Sequence, residues 1–264
     1  MVRLDPNLPF ETRYYPAAVV SFAFFLAIFK FVTPKVTRKF FKDYDVLDES
    51  KRIDWDARVN SSIHAVIVCT TCVCGFLYDE DISEEPICSV MVTMIQMHHI
   101  FFVFSFSDMI LLTMYWKQIG DVVFFLHHGA SVYAYVYVMS FGVLPWFANY
   151  RLLAEFSTVF VNNRYFFDTM KYLKTHPMAF SNGIMMTLSF FVARIVTMPH
   201  YWYKVYTVYG TADFTNIGHI QLVLLISCFV LDVLNILWFY KMCKGVLKVL
   251  SGLDKNRNEM KKES

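Results

Sequence analysis

The chain has 264 residues, of which 56% are apolar and only 17% charged, whereas soluble domains hold about 45–50% apolar and about 25% charged residues. With 27 Phe, 14 Met and a mean hydropathy of +0.42, it carries more apolar surface than a soluble fold of this length can bury. That excludes a soluble enzyme, a disordered chain and a nucleic-acid binder; the net charge of +2 says little, and the placement of the basic residues decides more.

Segments of about 17–25 mostly apolar residues can cross a roughly 30 Å hydrocarbon core as helices. Seven such segments follow one another: Pro16 to Thr33, Val59 to Tyr78, Val90 to Trp116, Val122 to Val143, Leu144 to Val161, Met178 to His200 and Ile217 to Met242. The expected fold is therefore all-α, a polytopic membrane protein with seven transmembrane helices. The fifth segment is the most polar, carrying Asn149, Arg151 and Glu155. It reads as a short span or as a re-entrant segment lining a cavity.

Seven spans sort the basic residues 18 to 3. One side holds the first loop (Lys35 to Arg58), Lys117, the Arg164–Lys174 loop and the C-terminal tail, and the other holds Arg3, Arg13 and Lys204. By the positive-inside rule the N-terminus is lumenal and the C-terminus cytosolic. Asp5 and Glu11 precede the first span and its positive charges follow it, so no cleavable leader is expected. The tail ends Lys261-Lys262-Glu263-Ser264, resembling the dilysine retrieval signal of endoplasmic-reticulum membrane proteins, and that compartment is the expected location.

Two further patterns read as structural. The acidic loop Asp79 to Glu85 lacks the glycine and spacing of an EF-hand and reads as a solvated turn. Cys69, Cys72 and Cys74 lie inside an apolar span without a second ligand pair, and read as small buried residues. Cys74 and Cys88 fall near one membrane face, which allows a disulfide between them.

Ionisable groups inside spans are costly and by default face the bundle interior. Here they are His98, His99 and Asp108 in the third span, and His127 and His128 in the fourth. The fifth has Arg151 and Glu155, the sixth Arg194 and His200, and the seventh Asp232 beside Asn235. His128, Ser131 and Tyr135 recur at i, i+3 and i+7 and share a stripe; His127 and Ser131 meet at i, i+4. Arg151 and Glu155 are likewise at i, i+4 and are expected to pair. Neither H-x-x-H-H nor H-x-x-x-H occurs, and adjacent helical residues diverge by about 100°, so no metal and no cofactor are expected.

Several ordered motifs carry a family resemblance. They are Ser107-Asp108, Tyr115-Trp116-Lys117-Gln118-Ile119-Gly120-Asp121 and His127-His128-Gly129-Ala130-Ser131-Val132-Tyr133-Ala134-Tyr135. Asn149 to Glu155, Phe160 to Arg164, Arg194-Ile195, Met198 to Tyr201 and Val208 to Gly210 continue the pattern. Together they resemble the TLC-domain family, to which the ceramide synthases are distantly related. The resemblance implies residues 1–50 as a first helix with a basic loop, 51–251 as the TLC domain, and 252–264 as a basic tail. It also implies six helices in a barrel around a lipid-sized cavity.

In the ceramide synthases a His pair in the corresponding helix lies at the centre of acyl transfer. By resemblance, His127 and His128 occupy that position, with Asp108 or Glu155 to orient an imidazole. Arg151, Ser131, Tyr135, Asn162, Asp232 and Asn235 are the expected contacts to lipid or acyl-CoA. The chain departs from those enzymes: H-D-x-x-D is absent, and the fifth segment has Asn149-x-Arg151-x-x-x-Glu155. The first expectation is therefore a lipid-handling protein of lipid homeostasis whose partner is membrane lipid. The alternative is an acyltransferase using acyl-CoA; a transporter is weaker, since too few ionisable groups are present to line a polar path.

Overall fold

The computed structural model describes residues 15–78, 86–87, 105–172 and 176–263, and every described element is helical. Helix α1 (Tyr15–Ala27) passes through a π turn (Ile28–Val32) into α2 (Thr33–Phe40). A 3-10 turn (Lys42–Val46) leads to the long α3 (Glu49–Tyr78). After α4 (Ser105–Met114) and the short α5 (Trp116–Ile119) comes α6 (Val122–Phe141). Then α7 (Pro145–Leu152), a 3-10 turn (Leu153–Ser157) and α8 (Thr158–Thr169) run on without a loop. Helix α9 (Pro177–Phe190), a second π turn (Phe191–Val196) and α10 (Thr197–Val208) form one rod. The chain ends with α11 (Ala212–Asn216) and α12 (Ile220–Glu263).

Among the described residues, five helices are long and apolar enough to cross a membrane: Val19–Phe40, Glu49–Tyr78, Val122–Phe141, Pro177–Val208 and Ile220–Lys248. They overlap the first, second, fourth, sixth and seventh expected spans. Of the third, α4 is described; His98, His99, Cys88 and the acidic loop lie outside the described residues. The fifth segment is an unbroken helical run from α7 through α8, with its middle tightened into the 3-10 turn. Its polar residues keep it out of the apolar group.

Both ends of the basic first loop are more helical than expected. Lys35, Arg38 and Lys39 lie on α2, while Lys51, Arg52 and Arg58 lie on the opening turns of α3. Asp48 caps α3 by accepting the Lys51 backbone N–H at 2.8 Å, and this bond holds its carboxyl below the usual carboxylate range. Tyr44 donates to Asp56 at 2.6 Å, and burial pushes the Tyr44 phenol up. The seventh span also outruns its expected end near Met242, as α12 continues to Glu263.

Proline explains both π turns. Pro34 has no N–H for the Lys30 carbonyl, and the Thr33 N–H reaches back five residues to Ile28. Pro199 likewise withholds a donor from Ile195, at the end of the second π turn. At the α6–α7 corner Gly142 (φ 61°) closes α6 in the left-handed region, and Leu144 (φ 61°) adopts it too.

Polarity is arranged for lipid. On α12, Leu222, Ile226, Phe229, Val233 and Ile236 are exposed along one stripe, while Ser227, Asp232 and Asn235 are buried on the other. Water would penalise such an apolar stripe, and a bilayer does not. The core gathers where α3, α6, α7, α10 and α12 meet, around Cys72, Phe147, Leu152, Tyr201 and Ile217. Of the α3 cysteines, Cys72 is buried as expected, Cys69 is half-buried, and Cys74 is exposed, against expectation, because its helical position turns it outward.

Candidate functional site

Polar side chains from α6, α7, the 3-10 turn after it, the second π turn, α10 and α12 converge on one cavity. Its wall includes His127, Ser131, Arg151, Glu155, Arg194 and Asn235. Its volume is about 40 Å³, room for a few waters and less than the lipid-sized space expected from the resemblance.

Adjacent positions on α6 separate the two histidines. His127 lines the cavity, its Nδ1 enclosed without a hydrogen-bond partner and its ring 5.2 Å from that of Trp238. His128 turns toward α4, where its Nε2 lies 3.0 Å from Oδ2 of Asp108, off the line of a hydrogen bond. The stripe of His128, Ser131 and Tyr135 is buried throughout. Tyr135 donates to the Ala148 carbonyl at 2.7 Å, tying α6 to α7.

The expected Arg151–Glu155 pair does not form. The backbone passes into a 3-10 turn at Leu153, where residues four apart diverge by about 120° instead of the roughly 40° of an α-helix. Arg151 instead makes a two-pronged pair with Asp232 of α12, its Nη2 at 3.1 Å from Oδ2. Trp202 Nε1 donates to the same carboxylate at 2.7 Å. The guanidinium also lies 3.9 Å over the Tyr201 ring, a contact that stabilises a desolvated cation.

Glu155 faces Arg194 across 3.9 Å. Arg194 is the centre of the site, and the sequence marks it only as an ionisable group inside a span, not as an expected lipid contact. The π turn carries it inward, and π turns recur at functional sites. It donates to the Ala154 carbonyl (3.1 Å), Ser157 (2.9 Å), Asn235 (3.0 Å) and Thr158 (3.2 Å). Pro199 was the signal that could have drawn attention to it. Tyr150, Thr197 and Tyr201 also line the cavity and carried no distinguishing spacing.

Asn162 stands apart from the cavity. It donates to the Arg58 carbonyl (3.2 Å) and to Ser62 (3.1 Å), and accepts from Arg58 Nη1 (3.3 Å), so it ties α8 to α3. Among the described residues, no three His, Cys, Asp or Glu side chains converge as a metal site.

Apolar faces turned outward and paired charges turned inward define a helical membrane protein with an internal polar site. The model of the TLC domain matches residues 54–244. The chain is 40% identical over 245 residues to TLC domain-containing protein 4-B of Danio rerio, covering 92% of this chain and 93% of that protein. It is 40% identical over 253 residues to TLC domain-containing protein 4 of Homo sapiens, covering 93% and 92%. A relative in Dictyostelium discoideum, TLC domain-containing protein 4 A, is 26% identical over 222 residues, covering 83% and 84%. The chain belongs to the TLC-domain family. No solved structure matches it significantly.

Proposed function

We propose that this protein is a multi-pass endoplasmic-reticulum membrane protein that acts in lipid homeostasis by binding or handling lipid among its helices. In this reading the chain crosses the bilayer seven times, with α4 belonging to the third span and α7–α8 forming the fifth. The N-terminus is lumenal and the C-terminus cytosolic. One observation carries the reading: Arg151, Glu155, Arg194 and His127 meet at one cavity inside an apolar bundle. Charges at such depth are costly and are retained where they meet a polar group of a substrate or ligand. The small cavity volume means that a whole lipid enters only when the helices part, with its head group held at Arg194 and its chains left in the bilayer.

The His128–Asp108 contact favours a second reading, acyl transfer. A lipid amine or hydroxyl would lose its proton to an imidazole as it attacks the acyl-CoA thioester. The acyl–sulfur bond would break, a new acyl–nitrogen or acyl–oxygen bond would form, and the proton would pass to the leaving CoA thiolate. The test is to purify the protein in nanodiscs, identify copurified lipid, and incubate with radiolabelled acyl-CoA. Lipid retained in His127→Ala and His128→Ala, without turnover in the parent, supports lipid handling. Label transfer that both substitutions abolish supports the acyltransferase. Neither bound lipid nor turnover would refute both readings.

A further inference from the structure

A second pocket lies between α1, α3 and α4, and it shares no lining residue with the His127 cavity. It is larger, about 120 Å³, with an apolar wall that includes Phe22, Phe25, Leu26, Ile110 and Leu111. Lys30, Asn60, Ser107 and Tyr115 bring polar atoms to that wall, and two of these residues bear on an occupant. One is Lys30, exposed at the π turn. The other is Asn60, only 1% exposed, whose Oδ1 is enclosed and accepts no hydrogen bond.

Lys30 and Asn60 each specify part of an occupant. Lys30 is five residues inward of Lys35 on the same rod, about 7.5 Å along the axis, within the reach of a lysine stem that carries its ammonium toward the head-group level. A cation at that depth needs an anion. Phe22 lies eight residues further in, about 12 Å from Lys30, so the apolar part of the pocket extends away from the basic end. A charged head at Lys30 and a chain running inward match that polarity. The Asn60 acceptor, buried without a donor, costs free energy until a hydroxyl or N–H meets it.

We propose that this pocket binds an anionic single-chain lipid, with a phosphate at Lys30, a free hydroxyl at Asn60 Oδ1 and the acyl chain among Phe22, Phe25, Leu26 and Leu111. A lysophosphatidate has all three features. Because the site is separate from the His127 cavity, it stands whether or not that cavity handles lipid.

The test uses the full chain in phosphatidylcholine nanodiscs and native mass spectrometry. Oleoyl lysophosphatidic acid is titrated against oleoyl lysophosphatidylcholine, which keeps the chain and hydroxyl but has no net charge, and against oleate, which keeps the chain and charge but lacks the hydroxyl. The expected result is one saturable lysophosphatidic acid per chain, bound at least tenfold more tightly than either comparator. Lys30→Gln should weaken it at least fivefold and erase the preference over lysophosphatidylcholine, while Lys30→Arg should keep both. Asn60→Ala should erase the preference over oleate. A diazirine on the acyl chain should label Phe22 to Leu26 or Ile110 to Met114. Equal binding of the charged and uncharged lysolipids, an unaffected Lys30→Gln, or label confined to Ser131 and Leu231 would each overturn the proposal. Met114→Trp, filling the pocket mouth, should reduce binding without changing the elution volume; if it does not fold, the Lys30 pair still decides.

Discussion

The Arg151–Asp232 pair makes a quantitative claim about the interior. Its side chains are 15% and 9% exposed, and the carboxylate also accepts from Trp202. Asp232→Ala would leave the Arg151 cation with the Tyr201 ring at 3.9 Å and no counter-charge. Removing one partner of a buried pair costs about 3–5 kcal/mol, whereas replacing both by apolar groups is often close to neutral. The Tyr201 ring contact is present before and after the substitution and offsets none of this, so Asp232→Ala should cost about 3–5 kcal/mol. Arg151→Leu strands the Asp232 carboxylate, which keeps its Trp202 bond, and should cost a similar amount. The double variant Arg151→Leu/Asp232→Leu should cost no more than about 1–2 kcal/mol, well below the sum of the singles. Equilibrium unfolding in mixed micelles, followed by tryptophan fluorescence, measures all three. If the double variant costs the sum of the singles, the two charges are not coupled and the pair does not organise the site.

Glu155→Gln should cost less than about 1 kcal/mol in stability, because Arg194 already donates to four neutral acceptors and Glu155 stands off at 3.9 Å; lipid copurification should nevertheless fall, and unchanged binding would remove Glu155 from the site. Asn162→Ala should destabilise by about 1–2 kcal/mol through lost bonds to Arg58 and Ser62, with lipid retention per folded molecule unchanged. Lys171, exposed with φ 61° just beyond α8, carries left-handed strain, so Lys171→Gly should stabilise by about 0.5–1 kcal/mol; a lower Tm would refute the strain. A Cβ at Gly120 would lie 2.3 Å from the Trp116 carbonyl oxygen, so Gly120→Ala should displace the turn that sets Asp121 as the cap of α6, lowering Tm by several degrees in a thermal scan.

Periodicity and charge placement make the apolar rods legible, because a lipid-facing helix must be apolar over its whole length and five described helices obey that rule. They also mark the stripe of His128, Ser131 and Tyr135, since α6 keeps α-helical spacing throughout. They fail where the backbone leaves that spacing. Arg151 and Glu155 sit four apart, and the 3-10 turn beginning at Leu153 sends them to different partners on α12 and the second π turn. Partners such as Asp232 and Trp202 come from distant parts of the chain, and no local pattern encodes which faces meet. His127 and His128 could be separated in principle by their 100° divergence, but only the positions of α4 and α12 decide which faces the cavity.

The two π turns link the main site and the second pocket through one local device. Lys30 and Arg194 are cations of the first span and of the α9–α10 rod, and each lies inside the π turn of its helix. Each π turn ends within three residues of a proline that cannot donate to the carbonyl four residues earlier. In a bilayer an unsatisfied carbonyl costs several kcal/mol, so the helix takes up the defect by widening, and the widened turn changes the direction of its side chains. At Arg194 this aims the guanidinium into four acceptors on the neighbouring 3-10 turn, at the start of α8 and on α12. At Lys30 it leaves the ammonium at the edge of an apolar pocket without a protein counter-charge among the described residues. The same backbone device thus has two outcomes, a cation satisfied within the protein at Arg194 and one left for a ligand at Lys30.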